Sequence, residues 1–245
     1  MGRFVDLLRS PGFQSFLWAQ FLGALNDNTY KIIVSLFAVT TQSNLSGASS
    51  HLSLVGAVFI IPFFLFSGYA GYLADVYSKR SVLVATKLLE VVAMGVGILA
   101  LNSGQFSAML AVLFLMAVHS TFFSPAKYGI LPEMLPDKDL SRANGLLEMT
   151  TLLAIVLGTA LGSFMFAAWK QQLWITGVCL TAVALVGALA SLGIPRVPPS
   201  GATKSLRLNP FGEVWSGARR IYSDKTLRLT LFGIRYFWFL GTLLQ

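Results

Sequence analysis

Charge is scarce in this sequence. Only 11% of its 245 residues are Asp, Glu, Lys or Arg, whereas a soluble domain of this size carries roughly a quarter. Such a deficit suits a surface facing hydrocarbon, where each unneutralised charge costs several kcal/mol. There is one cysteine, Cys179, inside an apolar run. That excludes a disulfide framework and a Cys-based zinc site and leaves a small packing residue. Acidic residues are fewer still: ten, against eighteen Lys and Arg, for a net charge of +8. The excess does not point to nucleic acid, because the basic residues sit in loops between apolar runs rather than on one face.

What is abundant is apolar length. Hydrophobic residues make up 55% of the chain and mean hydropathy is +0.70. A bilayer crossing needs about 20 apolar residues. Six runs meet that length, at approximately 14–40, 52–73, 82–101, 106–125, 143–168 and 172–194, and a seventh begins near Leu227. The loops between them are 41–51, 71–80, 102–105, 132–142, 169–171 and 195–226. Arg3 and Arg9 precede the first run as in a signal peptide, but the run passes Asn28 and Lys31 without a small-residue cleavage site. It therefore reads as a retained span. The expected fold is an all-α membrane protein with a six-span N-terminal bundle over 1–194, a cytoplasmic linker over 195–226, and the start of a seventh span over 227–245. With that last run cut short at Gln245, the chain is expected to be a piece of a longer polypeptide.

Thirteen of the eighteen basic residues fall in alternate loops or termini: Arg3, Arg9, Lys79, Arg80, Lys138, Arg142 and seven from Arg196 to Arg228. Only Lys170 falls clearly on the other side, so the N-terminus and the linker are expected in the cytoplasm. Lys31, Lys87, Lys127 and Arg235 lie in or beside spans. Within the linker, Pro195 to Gly201 is an extended segment. Asn209-Pro210 opens an expected helix with Phe211, Val214, Trp215, Ala218, Ile221 and Tyr222 at helical spacing beside Arg219, Arg220 and Lys225. It reads as a helix on the inner leaflet, in contact with membrane lipids, or as a solvated linker.

The turn Gly71-Tyr72-Leu73-Ala74-Asp75-Val76-Tyr77-Ser78-Lys79-Arg80 resembles the pattern that the major facilitator superfamily carries between its second and third spans, G-x-L-A-D-R-x-G-R-[RK]. Gly71, Leu73, Ala74, Asp75, Lys79 and Arg80 match, while Val76 stands in place of Arg and Ser78 in place of Gly. The resemblance implies a cytoplasmic gate in a six-plus-six carrier, each half made of two inverted three-span units. Gly71 would allow close helix approach, and Asp75 would cap a helix of the opposite half. The other reading is a loop that only sets topology.

Charges inside spans are the candidate site. Asp27 lies in the first span between Asn26 and Asn28, with Lys31 one turn on. A structural ion pair, a coupling-ion site and a headgroup site all fit. The fourth span ends His119-Ser120-Thr121-Phe122-Phe123-Ser124-Pro125-Ala126-Lys127-Tyr128-Gly129. Pro125 is expected to break the helix beside Lys127, which would suit a phosphate or carboxylate, or would snorkel to the headgroups. Glu148 in the fifth span could pair with Lys127 or Lys87, Gly158 and Gly162 form a small-residue face, and Lys87 with Glu90 reads as a structural pair. His119 reads as a core histidine rather than a proton carrier.

Together, Asn26-Asp27-Asn28, Ser124 to Leu131 and Ala143-Asn144-Gly145-Leu146-Leu147-Glu148 are similar to the bacterial lysophospholipid transporter family. That resemblance implies movement of lysophosphatidylethanolamine-type lipids across the inner membrane for re-acylation, by a carrier needing a C-terminal half. Some members are fused to an acyltransferase and acyl-carrier-protein synthetase. It also implies that Asp27 and Lys127 face the cavity, with the acyl tail beside an apolar wall such as Phe59 to Phe66. Substrate contact is expected from Asp27, Asn28, Lys31, Lys127 and Glu148, and gating from Gly71, Asp75, Lys79 and Arg80, with no cofactor and no metal. Catalysis is not expected. The acyltransferase pattern H-x-x-x-x-D finds Gly56 after His51 and Ser124 after His119, and there is no phosphate loop, H-E-x-x-H or G-x-S-x-G. A proton-coupled drug exporter of the same superfamily and a membrane anchor for a fused enzyme are the competing readings.

Overall fold

The computed structural model describes residues 4–41, 45–198, 215, 218–219 and 221–243. They divide into a unit within residues 1–204 and a second within 205–245. The first holds α1 (Phe4–Arg9), α2 (Pro11–Thr40), α3 (Leu45–Val76), α4 (Lys79–Ser103), α5 (Phe106–Gly129), α6 (Leu131–Met134), α7 (Asp137–Ala168) and α8 (Trp174–Leu192). The second holds α9 (Lys225–Leu243). Trp215, Ala218, Arg219 and Ile221 to Ser223 are also helical; the expected helix start at Asn209-Pro210 lies outside the described residues.

Among the described residues, five helices are long and apolar enough to cross a membrane: α3 from Ser46, α4, α5, α7 and α8. α2, taken from sequence as the first span, is not one of them, since Gln20, Asn26, Asp27, Asn28 and Lys31 interrupt its apolar run. Its 30 residues pack against α3, α5, α7 and α8 and bury residues along most of its length. A helix enclosed by neighbours can carry polar groups that a lipid-facing one cannot. The lipid-type surface is instead spread over the outer helices, where Phe64, Leu99 and Leu189 are each at least 66% exposed.

Two element bounds differ from expectation for clear reasons. Pro125 does not break α5, which runs on to Gly129. A proline removes only its own N–H, and with the helix ending one turn later little ladder is lost. The break comes after Ile130, where Pro132 starts the short α6. α7 begins at Asp137 rather than 143, its first turn carrying Asp137 and Asp139, which favour the positive end of the helix dipole.

The close helix seams depend on glycine, as the small-residue face predicted. A Cβ on Gly158 would stand 2.7 Å from the Leu25 carbonyl oxygen, and one on Gly162 would stand 2.7 Å from that of Thr29. α7 therefore lies directly on the α2 backbone. Gly177 brings α8 equally near Ile98 of α4. The core forms two apolar clusters. One gathers Tyr30, Ile33, Met94, Met109, Leu113 and Met116. The other gathers Phe13, Phe16, Leu83, Ala126, Ile130 and Leu147. Between these clusters α2, α4, α5 and α7 carry polar groups: Gln20, Asn26 and Asp27, Lys87 and Glu90, His119 and Ser120, and Thr150 and Thr151.

Candidate functional site

That polar layer is built by residues of four helices, α2, α4, α5 and α7. On α4, Lys87 Nζ lies 2.6 Å from Glu90 Oε2, and both side chains are almost wholly buried. The second carboxylate oxygen accepts from Asn26 Nδ2 on α2 at 3.0 Å. A buried ion pair gains from further hydrogen bonds, and here Asn26 supplies one to the carboxylate while the Lys87 ammonium lies 5.6 Å from the centre of the Phe123 ring. The Lys87 ammonium has room because position 23 is glycine; a Cβ there would collide with Nζ, and one on Gly187 of α8 would stand 3.4 Å from it. The expected structural pairing of Lys87 with Glu90 is present.

Asp27, one residue after Asn26, turns to α5. Ser120 donates its hydroxyl to Oδ2, and His119 Nε2 lies 3.2 Å from Oδ1. That approach is within ion-pair range but out of hydrogen-bond alignment. Asp27 Oδ1 and both His119 ring nitrogens thus have no hydrogen-bond partner among the described residues. About two turns further along α5, Lys127 Nζ donates to Thr151 Oγ1 of α7 at 2.9 Å and lies 5.4 Å from the centre of the Tyr128 ring. Thr151 in turn reaches Gln20 Oε1 of α2 at 3.1 Å. Among the described residues no carboxylate comes within 4.0 Å of Lys127. A cation that is 8% exposed with only neutral ligands is a strong attractor for an anion.

Asp27, Lys87, His119, Ser120, Lys127 and Thr151 all line one cavity of about 210 Å³, whose apolar wall includes Phe59, Phe63 and Phe123. Opposite charges, neutral hydroxyls and aromatic surface thus share one space. On α5 the lining residues recur at helical spacing, with Lys127 seven residues after Ser120 and eight after His119. His119, Ser120, Gln20, Thr151 and Tyr128 are among the lining residues that sequence reasoning did not assign to the site.

Three of the expected contact residues lie elsewhere. Asn28 donates to the Ala24 carbonyl at 2.7 Å and packs at the Gly158 seam. Lys31 stands 5.1 Å over the Phe59 ring, and no ion pair with Asp27 within 4.0 Å is present. Glu148 accepts the Tyr128 hydroxyl at 2.7 Å and pairs with neither Lys127 nor Lys87. It adjoins the site through Tyr128, a lining residue.

The four residues expected to form a gate stand at one end of the bundle, together with the start of α7 and the chain after α8. Lys79 pairs with Glu133 of α6 and crosses Gly129. Arg80 donates from Nε to the Ile194 carbonyl at 2.6 Å and from Nη2 to that of Leu192 at 2.9 Å, a cation at and just past the C-terminal end of α8. Ser78 donates to the Val197 carbonyl at 2.9 Å. Asp75 sits half-buried in the last turn of α3. The close approach expected at Gly71 is not found within this bundle: a Cβ there would meet no atom within 4 Å.

Comparison with known proteins bears on this arrangement. The lysophospholipid transporter LplT of Klebsiella pneumoniae is 29% identical over 240 residues, covering 97% of this chain and 57% of the relative. That of an Enterobacter species is 30% identical over 240 residues, again 97% and 57%. That of Yersinia pestis is 28% identical over 239 residues, 97% and 56%. The chain therefore spans somewhat more than half the length of these curated relatives. A family model described as the Major Facilitator Superfamily matches residues 16–245. With polar groups gathered inside a bundle of apolar helices and a match over nearly its whole length, the chain belongs to the major facilitator superfamily.

Proposed function

We propose that this chain is the N-terminal half of a carrier that moves lysophospholipids of the lysophosphatidylethanolamine type to the cytoplasmic leaflet of a bacterial inner membrane. The observation that carries this reading is that Asp27 and Lys127 line one cavity, with no carboxylate within 4.0 Å of Lys127 among the described residues. A phosphoethanolamine headgroup has one ammonium and one phosphate. Asp27 complements the first and Lys127 the second, while Phe59 and Phe63 offer the acyl chain an apolar wall. The relatives named above are lysophospholipid transporters. A drug exporter of the same superfamily has less in its favour, since a buried lysine whose hydrogen bond goes to a neutral hydroxyl favours a substrate bearing an anion.

In this reading α2 counts as a sixth span, enclosed by the other five, and α9 belongs to a seventh. The Lys and Arg distribution supports a cytoplasmic N-terminus, with loops 41–51, 102–105 and 169–171 outside. The protein acts as a carrier rather than an enzyme, by rocking its two halves about the cavity. Gly71 and Asp75 then meet the opposite half, while Lys79 and Arg80 brace the same end from within this one. Its partner is an enzyme that re-acylates the delivered lysolipid, whether fused or separate. The test is uptake of labelled lysophosphatidylethanolamine by spheroplasts lacking their own uptake route and supplied with the full-length protein. Uptake that Asp27→Asn abolishes without loss of membrane insertion is the expected result. No uptake by the inserted wild type would overturn the reading.

A further inference from the structure

His119 is the residue in the cavity whose chemistry the proposed function leaves unused. It is 3% exposed, yet neither ring nitrogen has a hydrogen-bond partner among the described residues. Buried polar atoms left in that state call for an explanation. Its Nε2 lies 3.2 Å from Asp27 Oδ1, the one carboxylate oxygen that Ser120 does not engage. The cavity thus offers one anionic oxygen and two claimants for it, an internal imidazolium and the ammonium of a bound headgroup.

We infer that His119 is a specificity-determining residue, an internal cation that competes with the substrate's ammonium for Asp27. The inference rests on the proposed function. When His119 is neutral, Asp27 is open to the ammonium. Once protonated, His119 occupies Oδ1 and the headgroup loses that partner. Histidine is the side chain that changes charge near neutral pH, so the competition falls in a physiological range.

The charged surroundings isolate this effect. Asp27 faces His119 from α2, and Glu90 and Lys87 act on it from α4. The last two are paired with each other at 2.6 Å and act on it in opposite senses. From α3 the cavity receives Phe59 and Phe63, and from α7 Thr151, none of them charged. Lys31 of α2 is held over Phe59, and Glu148 of α7 by the Tyr128 hydroxyl. Lys127 lies two turns further along α5 on neutral Thr151, where a phosphate would sit. Protonation of His119 therefore weakens the ammonium end of the site and leaves the phosphate end in place.

The test compares uptake of lysophosphatidylethanolamine with that of lysophosphatidylglycerol, which has the phosphate but no ammonium, between about pH 8 and about pH 6. Both use the full-length transporter in proteoliposomes, with pH set equally on the two sides. For the wild type, apparent KM for lysophosphatidylethanolamine is expected to rise at least about fivefold as pH falls, and that for lysophosphatidylglycerol to rise less than about twofold. His119→Gln should make the first lysolipid as insensitive to pH as the second. An equal rise for both lysolipids in the wild type overturns the inference even if the variant fails to fold. A pH response that persists in His119→Gln does the same. If neither lysolipid is carried at any pH, the proposed function falls and this inference with it; uptake without headgroup dependence removes this inference alone.

Discussion

Lys87 illustrates how a charge survives inside this bundle. Its ammonium is placed by Glu90 on one side and by the absence of a Cβ at Gly23 on the other, and Asn26 completes the carboxylate's bonding. Removing one partner strands the other. Lys87→Met should therefore lower the stability of the folded bundle by about 3–5 kcal/mol, whereas Lys87→Met with Glu90→Gln should cost much less. Unfolding in detergent by denaturant titration, with a double-mutant cycle, measures the difference; equal losses would contradict the pairing. Asp27 and Lys127 were legible in the sequence because a charge in an apolar run needs a reason. The partners were not. Ser120, Gln20 and Thr151 cost little in such a run, and which helices meet is a long-range fact that spacing along the chain does not encode. Neither Lys31 nor Glu148 makes the ion pair considered for it: Lys31 stands over the Phe59 ring and Glu148 accepts the Tyr128 hydroxyl.

At the level of elements, apolar length placed the helices and glycine placed one seam. Gly158 and Gly162 stood out at four-residue spacing, and the helix they sit on does lie against the α2 backbone at those positions. Gly158→Leu should push α7 off α2 and lower the thermal midpoint by several degrees, about what a loss of 1–3 kcal/mol produces. Gly145→Leu on the same helix, where a Cβ meets nothing within 4 Å, should leave it unchanged. Thermal unfolding followed by fluorescence would show this, and equal shifts for both would contradict the seam. Helix ends were less legible. Pro125 looks like a breaker in sequence, yet it sits close enough to the end of α5 that the helix loses little by passing it. The start of α7 was hidden by its charges, which read as loop but also suit a helix N-terminus.

The whole unit is two apolar clusters with a polar layer between them, and that layer opens into a cavity with a cation at one side and an anion at the other. The class of molecule was readable from composition alone, and the superfamily from the turn at 71–80. The gathering of Asp27, His119 and Lys127 around one space was not, because it needs α2 and α5 to face each other across 90 residues of chain. The measurement that bears most directly on this account is equilibrium binding of lysophosphatidylethanolamine to the full-length protein in detergent, for wild type, Lys127→Ala and Lys127→Arg. Losing the phosphate's partner should weaken binding at least about tenfold in Lys127→Ala, the worth of one charge-assisted hydrogen bond, while Lys127→Arg keeps most of the affinity. Wild-type affinity in Lys127→Ala would contradict it.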